Sequence, residues 1–121
     1  MMRGTTRRRQ GILPVTFQLP GQPGITLELV VDTGFTGELT LPQAAVTAMR
    51  LPYLYEQRSV LADGSSIYIP VHRTTILWNG IRRTVRVLAT GRRPLVGTEL
   101  LDDQELRVRF RENDLVTVDE L

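Results

Sequence analysis

The residues best suited to chemistry in this chain are a carboxylate, a hydroxyl and a glycine in direct succession, Asp32, Thr33 and Gly34. They follow the apolar run Leu29–Val31, which is typical of a buried strand. Burying a carboxylate is unfavourable unless it is hydrogen-bonded or paired. The placement therefore indicates acid–base chemistry at Asp32, although Asp and Gly are also ordinary turn residues after a strand.

The composition leaves carboxylates as the main source of acid–base chemistry. The chain has no cysteine, which excludes disulfides and thiolate zinc sites. His72 is the only histidine, so one chain cannot build a multi-histidine metal site, and Ser-His-Asp catalysis would depend on this residue as its base. All fifteen basic residues are arginine, which excludes lysine nucleophiles and Schiff bases. We expect no metal and no cofactor.

Two segments downstream of Asp32 carry further signals. In the first, Asp63-Gly64 lies between two extended arms, which predicts a β-hairpin. The second is an apolar run that ends in Val96 and Gly97. Taken alone, an Asp-Gly pair such as Asp63-Gly64 is more often a plain turn. A segment such as the one that ends in Val96 and Gly97 is more often plain core packing. The hairpin residues that could form part of a site are Leu61, Ala62, Asp63, Gly64 and Ser65.

Together, Val31-Asp32-Thr33-Gly34, the hairpin from Leu61 to Ser66 and the segment from Pro94 to Leu101 resemble, in order and spacing, the retropepsin-like aspartic peptidases of clan AA. The bacterial single-domain members are the more similar type. The resemblance extends from Gly11 to Phe110. It implies a mainly β, retropepsin-like fold, a closed β-barrel or sandwich with one or two short helices.

The resemblance also implies a role for each segment. Asp32 would be the catalytic carboxylate, and since the reaction needs two carboxylates that share a proton, the second would be Asp32 of another copy in a homodimer. Thr33 would hydrogen-bond the loop of that copy, and Gly34 would allow close backbone approach. The hairpin would be a flap that binds an extended peptide or protein substrate by strand addition and excludes water. Val96 and Gly97 would support the catalytic loop.

Three features depart from the viral members of this family. Phe35 stands where a small residue usually follows Asp-Thr-Gly, and its ring would either cap the interface or narrow a specificity pocket. Thr98 stands where the viral enzymes commonly carry arginine, and the flap has a single glycine.

The leading hypothesis is an aspartic endopeptidase, with processing of its own amino terminus as a variant. The alternative is a non-catalytic binding or regulatory module with the same fold.

Short strands separated by turn signals are expected to position these residues. Asn79-Gly80 predicts a two-residue hairpin turn of primed type, and Asp63-Gly64 predicts the same. The other expected elements are strands at Ile12–Leu19, Ile25–Val31 and Glu38–Leu41, a helix from Pro42 to Arg50, a short helical stretch at Thr98–Leu101 and a last hairpin formed by Glu105–Phe110 and Leu115–Val118.

The amino terminus is strongly basic, with Arg3, Arg7, Arg8 and Arg9 among its first residues. This predicts a flexible basic arm at 1–10 before a single domain at 11–121. The net charge of +2 is too small to indicate a nucleic-acid partner. No apolar run reaches membrane length, and the early apolar segment lacks the features of a signal peptide. We expect no membrane partner and a cytoplasmic location.

Overall fold

The computed structural model describes residues 1–121 as a mainly β protein with ten strands and one short helix. No helix has the length and apolarity needed to cross a membrane. The elements are β1 (Met2–Arg7), β2 (Gln10–Gln18), β3 (Ile25–Val31), β4 (Leu39–Leu41), α1 (Gln43–Ala48), β5 (Tyr53–Val60), β6 (Ser66–Trp78), β7 (Ile81–Ala89), β8 (Leu95–Val96), β9 (Gln104–Val108) and β10 (Leu115–Glu120).

All ten strands belong to one sheet, in the order β5-β6-β7-β4-β8-β3-β2-β1-β10-β9. A further antiparallel pairing joins β2 to β6, with Thr16 opposite Leu77 and Gln18 opposite Thr75. This pairing curls the sheet back on itself, so that six strands surround a common interior. Most neighbours are antiparallel, but β3 runs parallel to β8 and β4 runs parallel to β7.

The core lies inside this curled sheet. In β2, the alternating residues Leu13, Val15 and Phe17 are completely buried, as the period-two pattern of a strand requires. They pack with fully buried side chains from the neighbouring strands and from the segment after β8. These partners are Leu29, Leu39, Leu41, Ile76, Val87, Val96 and Leu100.

The turn between β6 and β7 confirms the prediction made from Asn79-Gly80. Trp78 pairs with Ile81, so the loop has two residues. Asn79 has φ +51° and Gly80 has φ +78°, which are the positive values that a primed turn needs at both central positions.

The amino-terminal residues form a strand where the sequence predicted a flexible arm. β1 pairs with β2 on one side and with β10 on the other, so its backbone is hydrogen-bonded along both edges. Arg8 and Arg9 form the two-residue turn into β2, with φ values of +50° and +63°. The arginines do not oppose this arrangement because Arg3 and Arg7 remain exposed. Backbone pairing therefore outweighs the basic composition of this segment.

The helical stretch expected at Thr98–Leu101 is wrong, since these residues form consecutive turns. A single bond from the Leu101 N–H to the Thr98 carbonyl, 3.1 Å long, closes the first turn. The next strand begins at Gln104. The segment is too short for the cooperative hydrogen bonding that a helix requires.

Candidate active site

Asp32 stands directly after β3, and the neighbouring strand β8 holds its backbone in place. Val31 pairs with Val96 in the parallel ladder, and the Asp32 N–H donates to the Val96 carbonyl over 2.9 Å. Leu29 and Val30, which precede this point, are buried, whereas Asp32 is partly exposed. The buried end of β3 therefore leads into a partly exposed carboxylate.

A tight turn after β3 orients the Asp32 carboxylate. The Gly34 N–H donates to Asp32 Oδ1 over 2.9 Å, and the Phe35 N–H donates to the Asp32 carbonyl over 3.1 Å. A Cβ at Gly34 would lie 3.2 Å from Oδ1, which is closer than an ordinary contact. Gly34 therefore allows the amide to approach the carboxylate. Thr33 is exposed, and its hydroxyl makes no hydrogen bond within the chain.

Gly97 packs directly behind the loop that follows Asp32. Its N–H donates to the Glu38 carbonyl over 2.9 Å, and the Thr98 N–H donates to the Phe35 carbonyl over 2.9 Å. A Cβ at Gly97 would overlap the Gly37 carbonyl oxygen and would lie 2.6 Å from Phe35 Cδ2. Only glycine allows this close approach of two backbone segments.

The ring of Phe35 folds back over glycine backbone. A Cβ at Gly37 would lie 2.7 Å from Phe35 Cζ, so the ring covers Gly37 as well as Gly97. Phe35 also lines the cleft beside the loop. The ring therefore packs against the glycine backbone on one side and borders the cleft on the other.

The hairpin expected as a flap is formed by β5 and the first half of β6, and its tip is exposed. Its turn differs from the predicted two-residue form. Leu61 donates its N–H to the Ser65 carbonyl over 2.8 Å, and Gly64 donates to the Leu61 carbonyl over 2.9 Å. Three residues therefore form the loop. Gly64 alone has a positive φ, +85°, which is typical of a turn followed by a glycine bulge.

Asp63 stabilises the tip of this hairpin. Its Oδ1 accepts from the Ser65 hydroxyl over 2.5 Å and from the Ser65 N–H over 2.9 Å. These two hydrogen bonds favour the ionised carboxyl and lower the pKa of Asp63 below its ordinary value. Ala62 is exposed between Leu61 and Asp63. The tip makes no hydrogen bond to the Asp32 loop, so Asp63 acts within the hairpin.

A cleft of about 340 Å³ lies between the Asp32 loop and the base of the flap hairpin. The loop contributes Phe35 and Glu38, and the hairpin contributes Tyr55. Arg86 of β7 crosses the cleft, donating from Nη1 to the Tyr55 hydroxyl over 3.1 Å. Its backbone N–H donates to Glu38 Oε1 over 2.9 Å.

Arg86 is a charged residue of this cleft that the sequence did not indicate as part of a site. The hydrogen bond that Arg86 donates to the Tyr55 hydroxyl, together with the charges of Glu99 and Glu38, raises the pKa of its guanidinium above the ordinary value. Tyr55 and Arg86 lie 31 residues apart in the chain, and no local pattern links them. Only the pairing of β5, β6 and β7 brings them together.

Comparison with known structures supports the fold, whereas the comparisons by sequence find no match. No protein-family model and no curated protein matches this chain. Among solved structures, it is similar to a retropepsin-like aspartic protease from Rickettsia conorii, with a TM-score of 0.55 and 12% sequence identity. The match covers 98% of this chain and 88% of that one. At this identity the likeness concerns the backbone, and the protein has a mainly β, retropepsin-like fold.

Proposed function

We propose that the protein is an aspartic endopeptidase of the retropepsin-like clan AA type, active as a homodimer that hydrolyses an extended peptide or protein segment. The observation that carries this proposal is the position of Asp32 in a retropepsin-like fold. Its carboxylate is partly exposed at the end of β3 and accepts the Gly34 N–H over 2.9 Å. A carboxylate presented in this way can exchange a proton with a bound water.

The chain contains one Asp-Thr-Gly turn, so the second carboxylate is assigned to Asp32 of another copy. A two-fold axis places the same residue on both sides of a shared site. Two carboxylates in contact hold one proton between them because like charges repel. The ionised carboxylate then accepts a proton from the attacking water, and the protonated one donates to the substrate carbonyl. The free hydroxyl of Thr33 is available to bond the facing loop.

The hairpin of β5 and β6 is assigned to substrate binding. β5 is an edge strand of the sheet, and a peptide added to an edge gains backbone hydrogen bonds. Apolar side chains along the hairpin are exposed, including Val60 at 65% and Tyr68 at 67%. Exposed apolar groups in this number mark a surface that contacts a partner or a substrate. Leu61 and Ser65 flank the tip and are assigned to substrate contact, with Val96 and Gly97 supporting the catalytic loop.

The proposal is tested by comparing the wild type with Asp32→Asn on a mixture of denatured proteins at mildly acidic pH. The substitution should abolish cleavage, because the amide cannot share or accept the proton. Asp102→Asn is the matched control: this exposed carboxylate lies in the turns before β9, and its replacement should leave cleavage unchanged. Equal cleavage by the wild type and Asp32→Asn would refute the assignment.

A mixing experiment tests the shared site. Wild-type chains are refolded at fixed concentration with an equal amount of Asp32→Asn chains. Random pairing leaves a quarter of the dimers fully wild type, so cleavage should fall to about half of that given by the wild type alone. Undiminished cleavage would show that each chain works alone.

A non-catalytic binding module of the same fold is the second candidate, favoured by the pairing of the termini. β1 and β10 pair with each other inside one chain, so the termini need no second copy to complete their hydrogen bonds. This candidate predicts a chain that stays monomeric at high concentration and cleaves nothing. Sedimentation of the wild type separates the two candidates.

A further inference from the structure

A cavity of about 660 Å³ lies apart from the Asp32 cleft and shares no lining residue with it. Its walls are the turn after β2, the segment after α1 and the middle of β6. Its volume is within the range of small-molecule sites in proteins.

We propose that this cavity binds a small anion with several oxygen acceptors, of the phosphate or dicarboxylate class. Arg50 and Arg73 are the only charged residues that line it, and no acidic residue does. Neither guanidinium takes part in an ion pair. Two arginines without ion pairs at one cavity favour a doubly charged oxyanion, because each guanidinium can donate two parallel hydrogen bonds.

Neutral polar residues complete the lining. Gln18, Thr75 and Thr84 lie opposite one another on the adjacent strands β2, β6 and β7, and all three line the cavity. The Thr74 hydroxyl is buried without a hydrogen-bond partner, and Thr74 also belongs to this lining. A buried hydroxyl normally has a partner, so this donor points to an acceptor on a ligand. An oxygen of the anion can accept from it.

The backbone at Arg50 adds an independent observation. The Arg50 N–H donates to the Thr47 carbonyl over 3.1 Å, and the Leu51 N–H donates to the Val46 carbonyl over 3.2 Å. These two bonds form a Schellman motif at the end of α1, in which the left-handed position is usually glycine. Here it is arginine, with φ +54°. Residues other than glycine in this backbone conformation cluster at functional sites, and Arg50 lines the cavity.

Calorimetric titration of the full chain with inorganic phosphate, and separately with succinate, tests the proposal at constant ionic strength. At least one of the two should bind saturably, and the one that binds identifies the class. Arg73→Gln and Arg50→Gln should each weaken binding at least about tenfold. Arg111→Gln, which removes an exposed arginine outside the cavity, should change it less than about twofold.

Arg50→Gly separates binding from folding. It removes the guanidinium and also relieves the left-handed strain, so binding should weaken as in Arg50→Gln while the melting temperature stays at or above that of the wild type. Absence of saturable binding for both anions would overturn the proposal. If Arg111→Gln and Arg50→Gly weakened anion binding equally, the proposal would also be overturned. The loss would then reflect only the change in net charge. Neither outcome depends on cleavage activity, so this proposal stands or fails independently of the proposed function.

Discussion

Gly97→Ala tests how tightly the loop that follows Asp32 is held against the segment after β8. The added Cβ would lie 2.6 Å from Phe35 Cδ2 and 2.8 Å from the Phe35 carbonyl oxygen, and it would overlap the Gly37 carbonyl oxygen. Real Cβ atoms do not approach other atoms this closely, so the loop must move. The two carbonyl oxygens belong to a segment that the Gly97 and Thr98 N–H groups hold at 2.9 Å.

This overlap sets the expected magnitude. A methyl forced into a close-packed site costs about 1–3 kcal/mol, and a clash with fixed backbone belongs at the upper end. We expect Gly97→Ala to lower the free energy of unfolding by about 3 kcal/mol, out of roughly 5–15 kcal/mol for a domain. Because the displaced loop carries Asp32, the proposed cleavage activity should fall as well.

Urea denaturation followed by circular dichroism measures this effect, with Gly11→Ala as the matched control. A Cβ at Gly11 would lie 3.4 Å from Val108 Cγ2, an ordinary side-chain contact, so the control should change the free energy of unfolding by less than about 1 kcal/mol. Adding Phe35→Ala to Gly97→Ala should restore only part of the loss, since the Gly37 carbonyl still blocks the methyl. A Gly97→Ala protein as stable as the wild type would refute this account of the loop.

Three further substitutions give separate predictions. Replacing Arg8-Arg9 by Asn-Gly should raise the free energy of unfolding by about 1 kcal/mol in urea denaturation, because both residues have positive φ in the turn between β1 and β2; no change would contradict the turn. Arg50→Gly should raise it by about 1 kcal/mol in the same assay, and a loss of stability would show that the Schellman motif is misassigned. Ser65→Ala should raise the pKa of Asp63 toward its ordinary 3.8 in an NMR titration, since it removes the hydroxyl donor, and an unchanged pKa would exclude that hydrogen bond. Because folding lowers the pKa of Asp63, its contribution to stability is present above pH 3.8 and is lost as the pH falls through the folded value, so Ser65→Ala should reduce the acid sensitivity of the hairpin.

Several elements of the fold followed from local sequence patterns. The run Ile25–Val31 predicts β3 with the bounds that the structure has, and Asn79-Gly80 predicts the turn that joins β6 and β7. Both depend on neighbouring residues alone, through side-chain alternation and the φ values that a turn permits. β1 could not be predicted in this way, because it pairs with β10 at the other end of the chain. At Thr98–Leu101, the N–H groups of Thr98 and Glu99 donate to the distant carbonyls of Phe35 and Gly37, which a local pattern does not reveal.

The same division holds for the candidate site. The Asp32 turn is local, since the Gly34 N–H reaches a carboxylate two residues away, and the sequence predicted a turn at this point. The sequence also identified the retropepsin-like fold through the order of its segments. Only the tertiary structure brought Arg86 to Tyr55 and packed Phe35 against Gly97, because these contacts depend on how strands distant in sequence pair and curl. A turn is encoded by adjacent residues, whereas a cleft is encoded by the register of the whole sheet.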